Sequence, residues 1–140
     1  MPGSVMLSKP QVELTQIKAK RGRNAAQWQI VWALKNRGGH PLHITAVRFP
    51  HERFKSSERI FEPPIDLNED GVMEFVQPIL CEGEPGLLTE NAFAIFYVTW
   101  LGVRWRLFVR LKVVVNVNGN PEATTEMITV HKAGFSGVES

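Results

Sequence analysis

Three histidines, His40, His43 and His51, fall in one short stretch of the chain, and clustered imidazoles are a common beginning of a metal site. On an extended backbone positions 40 and 43 point to opposite sides, and His40 lies in Gly-Gly-His-Pro, which is turn material. A shared ligand role would need special geometry, so no metal is expected. The single cysteine, Cys81, is flanked by Glu82 and Glu84. Nearby anions raise a thiol pKa, the wrong direction for a nucleophile. The carboxylate pairs Glu69-Asp70 and Glu82 with Glu84 lie in loops, where acids close in sequence are ordinarily solvated. There is no glycine-rich phosphate loop, serine elbow, paired Cys-x-x-Cys or His-Glu-x-x-His. The expectation is a protein that is not an enzyme and carries no cofactor.

The remaining chemistry is recognition. From Val103 to Val117 every odd position is apolar, while the even positions read Arg104, Arg106, Phe108, Arg110, Lys112, Val114 and Asn116. A strict period of two fits a strand with one face in a core and cannot form the stripe of a helix. With Leu101-Gly102 at a turn, this strand folds back on 91–100. One face then holds Trp100 with Val103, Val98 with Trp105, Phe96 with Leu107, Ala94 with Val109 and Ala92 with Leu111. The other holds Thr99 with Arg104, Tyr97 with Arg106, Ile95 with Phe108, Phe93 with Arg110 and Asn91 with Lys112. The candidate binding residues are Phe93, Tyr97, Arg104, Arg106, Phe108, Arg110 and Lys112.

Aromatic rings among cations on a face outside the core call for a cover. The chain itself can supply it, with residues 51–68 laying Phe54 and Phe61 on the rings and Glu58, Glu62 or Asp66 on the arginines. The arginine stems can also lie along the rings while their heads stay wet. A protein partner or a second copy is the functional reading, because arginine and aromatic residues are enriched at interface hot spots. The alternative is an anionic ligand, including single-stranded nucleic acid stacked on Tyr97, Phe93 and Phe108.

These residues need a sheet to position them. Strands are expected at Gln11–Ala19, which either carries a bulge or changes which sheet it serves, at Trp28–Lys35 with Trp28 and Trp32 inward, and at Leu42–Phe49, with a parity shift between Ile44 and Val47. Gly71–Ile79 is apolar on both sides; Ala92–Trp100, Val103–Val117 and Thr124–Lys132 follow, the last two separated by the Asn118-Gly119-Asn120-Pro121 turn. Residues 51–68 break the alternation, and Phe54, Ile60 and Phe61 there suggest one helical turn over the end of a sandwich. About seven short strands without a helical period predict an all-β, antiparallel, immunoglobulin-like sandwich, with a partly open barrel as the alternative. One domain is expected over residues 1–140, its ends (1–10 and 134–140) flexible.

The stretch Trp28-Gln-Ile-Val-Trp-Ala-Leu-Lys-Asn36-Arg-Gly38, running into Pro41-Leu-His-Ile44, is an alternating strand that ends in Asn-x-Gly before the next strand. It resembles bacterial immunoglobulin-like modules, in particular the CARDB type of adhesion-related domain. The resemblance implies the sandwich fold and an interaction role, and no catalytic residues. Two features depart from it: the irregular 51–68 segment and an opening with no apolar run of signal-peptide length.

With 44% hydrophobic residues the chain can fill a core without staples, and one cysteine excludes an intrachain disulfide. No segment has membrane-spanning length without charges. A cytoplasmic location is the corresponding expectation. Sixteen basic and fourteen acidic residues leave +2, far from the charge of a protein that coats nucleic acid. The distribution is uneven: eleven basic against seven acidic in residues 1–70, and five against seven in residues 71–140. Lys18, Lys20, Arg21 and Arg23 carry much of the excess, in what reads as a solvated hairpin end.

Overall fold

Period-two alternation over several segments lets every buried peptide group find a partner in one way, by pairing strands into a sheet. The computed structural model describes residues 9–133, and among them there are eight strands and no helix. In chain order these are β1 (Val12–Arg21), β2 (Gln27–Asn36), β3 (Leu42–His51), β4 (Phe54–Leu67), β5 (Val72–Leu80), β6 (Leu88–Trp100), β7 (Val103–Val115) and β8 (Pro121–Lys132). All neighbours are antiparallel, in the order β1-β2-β5-β4-β3-β6-β7-β8.

The sheet rolls until its first and last strands meet. Gln16 Nε2 donates to the Pro121 carbonyl at 3.0 Å and its Oε1 accepts from Ala123 N at 2.7 Å, while Thr125 Oγ1 donates to the Leu14 carbonyl at 2.9 Å. The result is a nearly closed barrel. Inside, Trp32 stacks on Phe49 at 5.3 Å and meets the edge of Phe54 at 6.2 Å, and Phe75 joins Phe61 to Phe96 through edge contacts of 5.9 and 6.0 Å. Trp28, Trp105, Leu107 and Val109 are buried in the same core.

Turn chemistry at two places ties the strands. Leu101 and Gly102 both have positive φ, 51° and 75°, the backbone of a two-residue hairpin whose twist matches its strands. Asn36, in the Asn-x-Gly motif, is buried. Its Nδ2 donates to the carbonyls of His40 and Leu67 at 2.9 Å, and its Oδ1 accepts from Gly38 N at 2.9 Å. One amide thereby fastens the end of β2, the turn into β3 and the end of β4.

The expected count of seven strands is corrected by β4. Residues 54–67 form a strand where a helical turn was expected, and Phe54 and Phe61 face the core. The cause is a large bulge: between the pairs Ile44↔Ile65 and Ala46↔Ile60, β3 advances two residues and β4 five. Extra residues flip the faces that side chains occupy, so the segment has no readable period. Of the two alternatives for β1 the bulge is the one found, at Gln16/Lys18, and the parity shift expected in β3 coincides with the register shift at Ile44/Ala46. Of the ends expected to be flexible, all but Lys9 and Pro10 lie outside the described residues, and Pro10 is buried.

Candidate interaction surface

The β6–β7 hairpin has the register that alternation predicts from Trp100↔Val103 through Ala92↔Leu111. Phe93, Tyr97, Arg104, Arg106, Phe108 and Arg110 consequently share the outer face. Lys112 lies on the same face, but it is not paired with Asn91. The register shifts between Thr89 and Ala92, Asn91 turns out with φ 63°, and Lys112 is opposite Thr124 of β8 instead. An asparagine adopts that left-handed conformation at little cost, which is why the bulge falls there.

The rings are half-buried by one another and by their neighbours. Phe93 meets Phe108 edge-on at 6.4 Å, and Phe108 meets His131 at 5.5 Å. Ile95, between them, is 5% exposed. The Arg106 guanidinium lies 5.9 Å from the Tyr97 ring centre, and Arg48 Nε donates to the Tyr97 hydroxyl at 3.0 Å. Arg110 stands 4.0 Å from Glu126. Among the described residues Arg104 and Arg106 are exposed and have no ion-pair partner.

Residues 51–68 do not cover this face. β4 lies on the far side of β3, and its Phe54 and Phe61 are spent on the core. Arginine heads account for part of the cover, Arg106 over the Tyr97 ring and Arg48 at its hydroxyl.

Arg48, His131 and the half-exposed Met127 belong to the surface and were not among the sequence candidates. Alternation puts His131 outside, because Ile128 and Val130 face in. A register shift at Arg110/Leu111 decides which residue of β7 it meets, and that bulge leaves no mark in the sequence. Arg48 reaches Tyr97 through the β3–β6 pairing, a contact between distant segments.

The other sequence candidates go separate ways. His43 pairs with Asp66 across β3 and β4, His40 meets the edge of Trp100 at 5.8 Å, and His51 Nδ1 accepts from Arg53 N at 3.0 Å. No group of three potential metal ligands occurs among the described residues. Cys81 is buried, and burial, which penalises the thiolate, raises its pKa; the neighbouring glutamates are not the cause. Arg21 from the basic run lies over Trp28 at 4.5 Å. No helix among the described residues is long and apolar enough to cross a membrane.

Compared with known proteins, the chain matches no family model and no curated sequence. What the chain does has to be read from its own surfaces.

Proposed function

We propose that this chain is a non-enzymatic, immunoglobulin-like interaction and assembly module, and that the outer face of β6 and β7 docks a second copy of itself. One observation carries the reading: Phe93, Tyr97 and Phe108 sit half-buried beside Arg104 and Arg106, two arginines without an acidic partner among the described residues. Arginine heads beside rings are the chemistry of interface hot spots, where desolvation strengthens both the ring contact and any ion pair.

Strand order supports the immunoglobulin-like part of the proposal. Divided where β4 and β5 share one pair, Lys55↔Leu80, the sheet reads β1-β2-β5 and β4-β3-β6-β7 with β8 appended. Those are the A-B-E and C′-C-F-G orders of immunoglobulin sandwiches. The CARDB-type stretch, Trp28 to Ile44, occupies the B and C positions of that scheme.

The chain has one tyrosine, Tyr97, at the middle of the patch. Biosynthetic 3-fluorotyrosine therefore places a single fluorine reporter there. Its resonance should shift on dilution from high to low micromolar protein, and do so with little dependence on salt. A resonance that stays fixed across the dilution contradicts docking at this face. A resonance that instead responds to a single-stranded oligonucleotide, with affinity falling steeply as salt rises, would replace self-association by the anion-binding reading.

A further inference from the structure

The seam between β4 and β5 is the shortest ladder between neighbouring strands of the sheet, and what occupies most of it is side chain rather than backbone. β5 is paired with β2 along its whole length, from Val72↔Lys35 to Leu80↔Gln27, yet it meets β4 at Lys55↔Leu80 alone. Over most of β5 the edge that faces β4 has no main-chain ladder. An unpaired edge is a template for another strand unless something blunts it.

The substitutes are visible. The Arg59 guanidinium, lying 5.0 Å over the Phe61 ring, donates to the Val76 carbonyl, a place where a neighbouring strand would offer N–H. Gln77 Nε2 donates to Ser56 Oγ at 3.0 Å. Its Oε1 has no partner although the residue is only 2% exposed. A buried carbonyl oxygen without a donor is costly and marks a place where an N–H is missing. Outside these contacts opens a cleft of about 800 Å³, and Gln77 is among the residues that line it.

The rest of the lining states what would fit. Arg23, Lys55 and Arg59 stand against Glu58, so the cleft is cationic. Leu80 in its lining is 50% exposed, and Val76 and Ile60, the chain neighbours of the lining residues Gln77 and Arg59, are 45% and 62% exposed. We propose that this seam accepts an extended segment of another protein, apolar residues alternating with Asp or Glu, which pairs its backbone with Val76, Pro78 having no N–H to offer, and displaces Arg59 from the Val76 carbonyl. The apolar side chains would lie on Val76 and Leu80, the carboxylates on Arg59 and Arg23. This is strand addition, in which main-chain bonds give affinity and alternate side chains give specificity. The site is separate from the β6–β7 face and stands or falls independently of it.

The test is amide NMR of the full chain titrated with a capped peptide alternating valine and glutamate over about eight residues, the length of an ordinary strand. Shifts should appear in residues 55–59 and 76–80. A valine–lysine peptide should leave them unchanged. A valine–glutamate peptide methylated on alternate backbone nitrogens keeps charge and shape but loses its donors, and should bind about tenfold more weakly or worse. Equal binding by the methylated peptide, equal binding by the lysine peptide, or shifts confined to other strands would each overturn the proposal. So would movement of the 55–59 and 76–80 resonances on dilution of the free protein, which would make a second copy the occupant.

Discussion

Strand β3 has two neighbours, and they meet opposite fates. Toward β6 the ladder runs on through β7 to β8, and the β6–β7 and β7–β8 pairs extend over most of both strands. Toward β4 it crosses a five-for-two bulge, and beyond β4 the next strand is held at one backbone pair. The first region pairs its peptide groups strand to strand as far as β8, whose outer edge meets β1 through Gln16 and Thr125, and leaves rings and cations on its outer face. The second leaves peptide groups short of partners and plugs the gap with Arg59, Phe61 and Gln77. A sheet can therefore present a surface in two ways: by what its side chains offer, or by what its backbone still lacks.

The largest expected effect separates the two regions by stability. Trp105 is 7% exposed and packs against Trp100 at 6.1 Å. Trp105→Ala should cost about 3–5 kcal/mol, a large fraction of what holds a domain of this size folded. Ile60→Ser, at the exposed flank of the seam, should stay within about 0.5 kcal/mol. Denaturant unfolding of the two variants checks the contrast, and comparable losses would show that the seam is as tightly built as the hairpin. A smaller effect sharpens the picture at the hairpin tip. Leu101 adopts φ 51° while 57% exposed, a left-handed conformation that a leucine reaches only under strain. Leu101→Asn should raise stability by about 1 kcal/mol, read as an upward shift of the thermal midpoint. A lower midpoint would mean that the leucine side chain makes contacts worth more than its backbone strain.

The difference between the regions is also the difference in what the sequence discloses. The β6–β7 hairpin was legible because two runs alternate without interruption around a two-residue turn, which fixes both faces at once. The reading failed where the period fails. Asn91 slips the register before Lys112, and the extra residues from Phe61 to Pro64 hide β4 altogether. Burial of Phe54 beside Trp32 depends on a strand order in which β5 and β4 separate β2 from β3, and no local pattern encodes that order. The seam had one trace in the sequence. Val72, Met73, Phe75 and Val76 make β5 apolar on both sides, more than a strand with one wet face requires.

The central claim is that the outer face of β6 and β7 joins two copies of the chain, and light scattering on the wild type and on Arg106→Glu tests it most directly. Reversing a charge in a docked patch costs roughly 2–5 kcal/mol of association, because it leaves a partner unpaired or buries a like charge. Arg106 is exposed, so the folded subunit itself should change by no more than about 0.5 kcal/mol. The account predicts a wild type heavier than one chain at high micromolar concentration and an Arg106→Glu variant that scatters as a single chain with an unchanged thermal transition. A wild type that scatters as a single chain at the same concentration, or a variant that assembles as the wild type does, would contradict it.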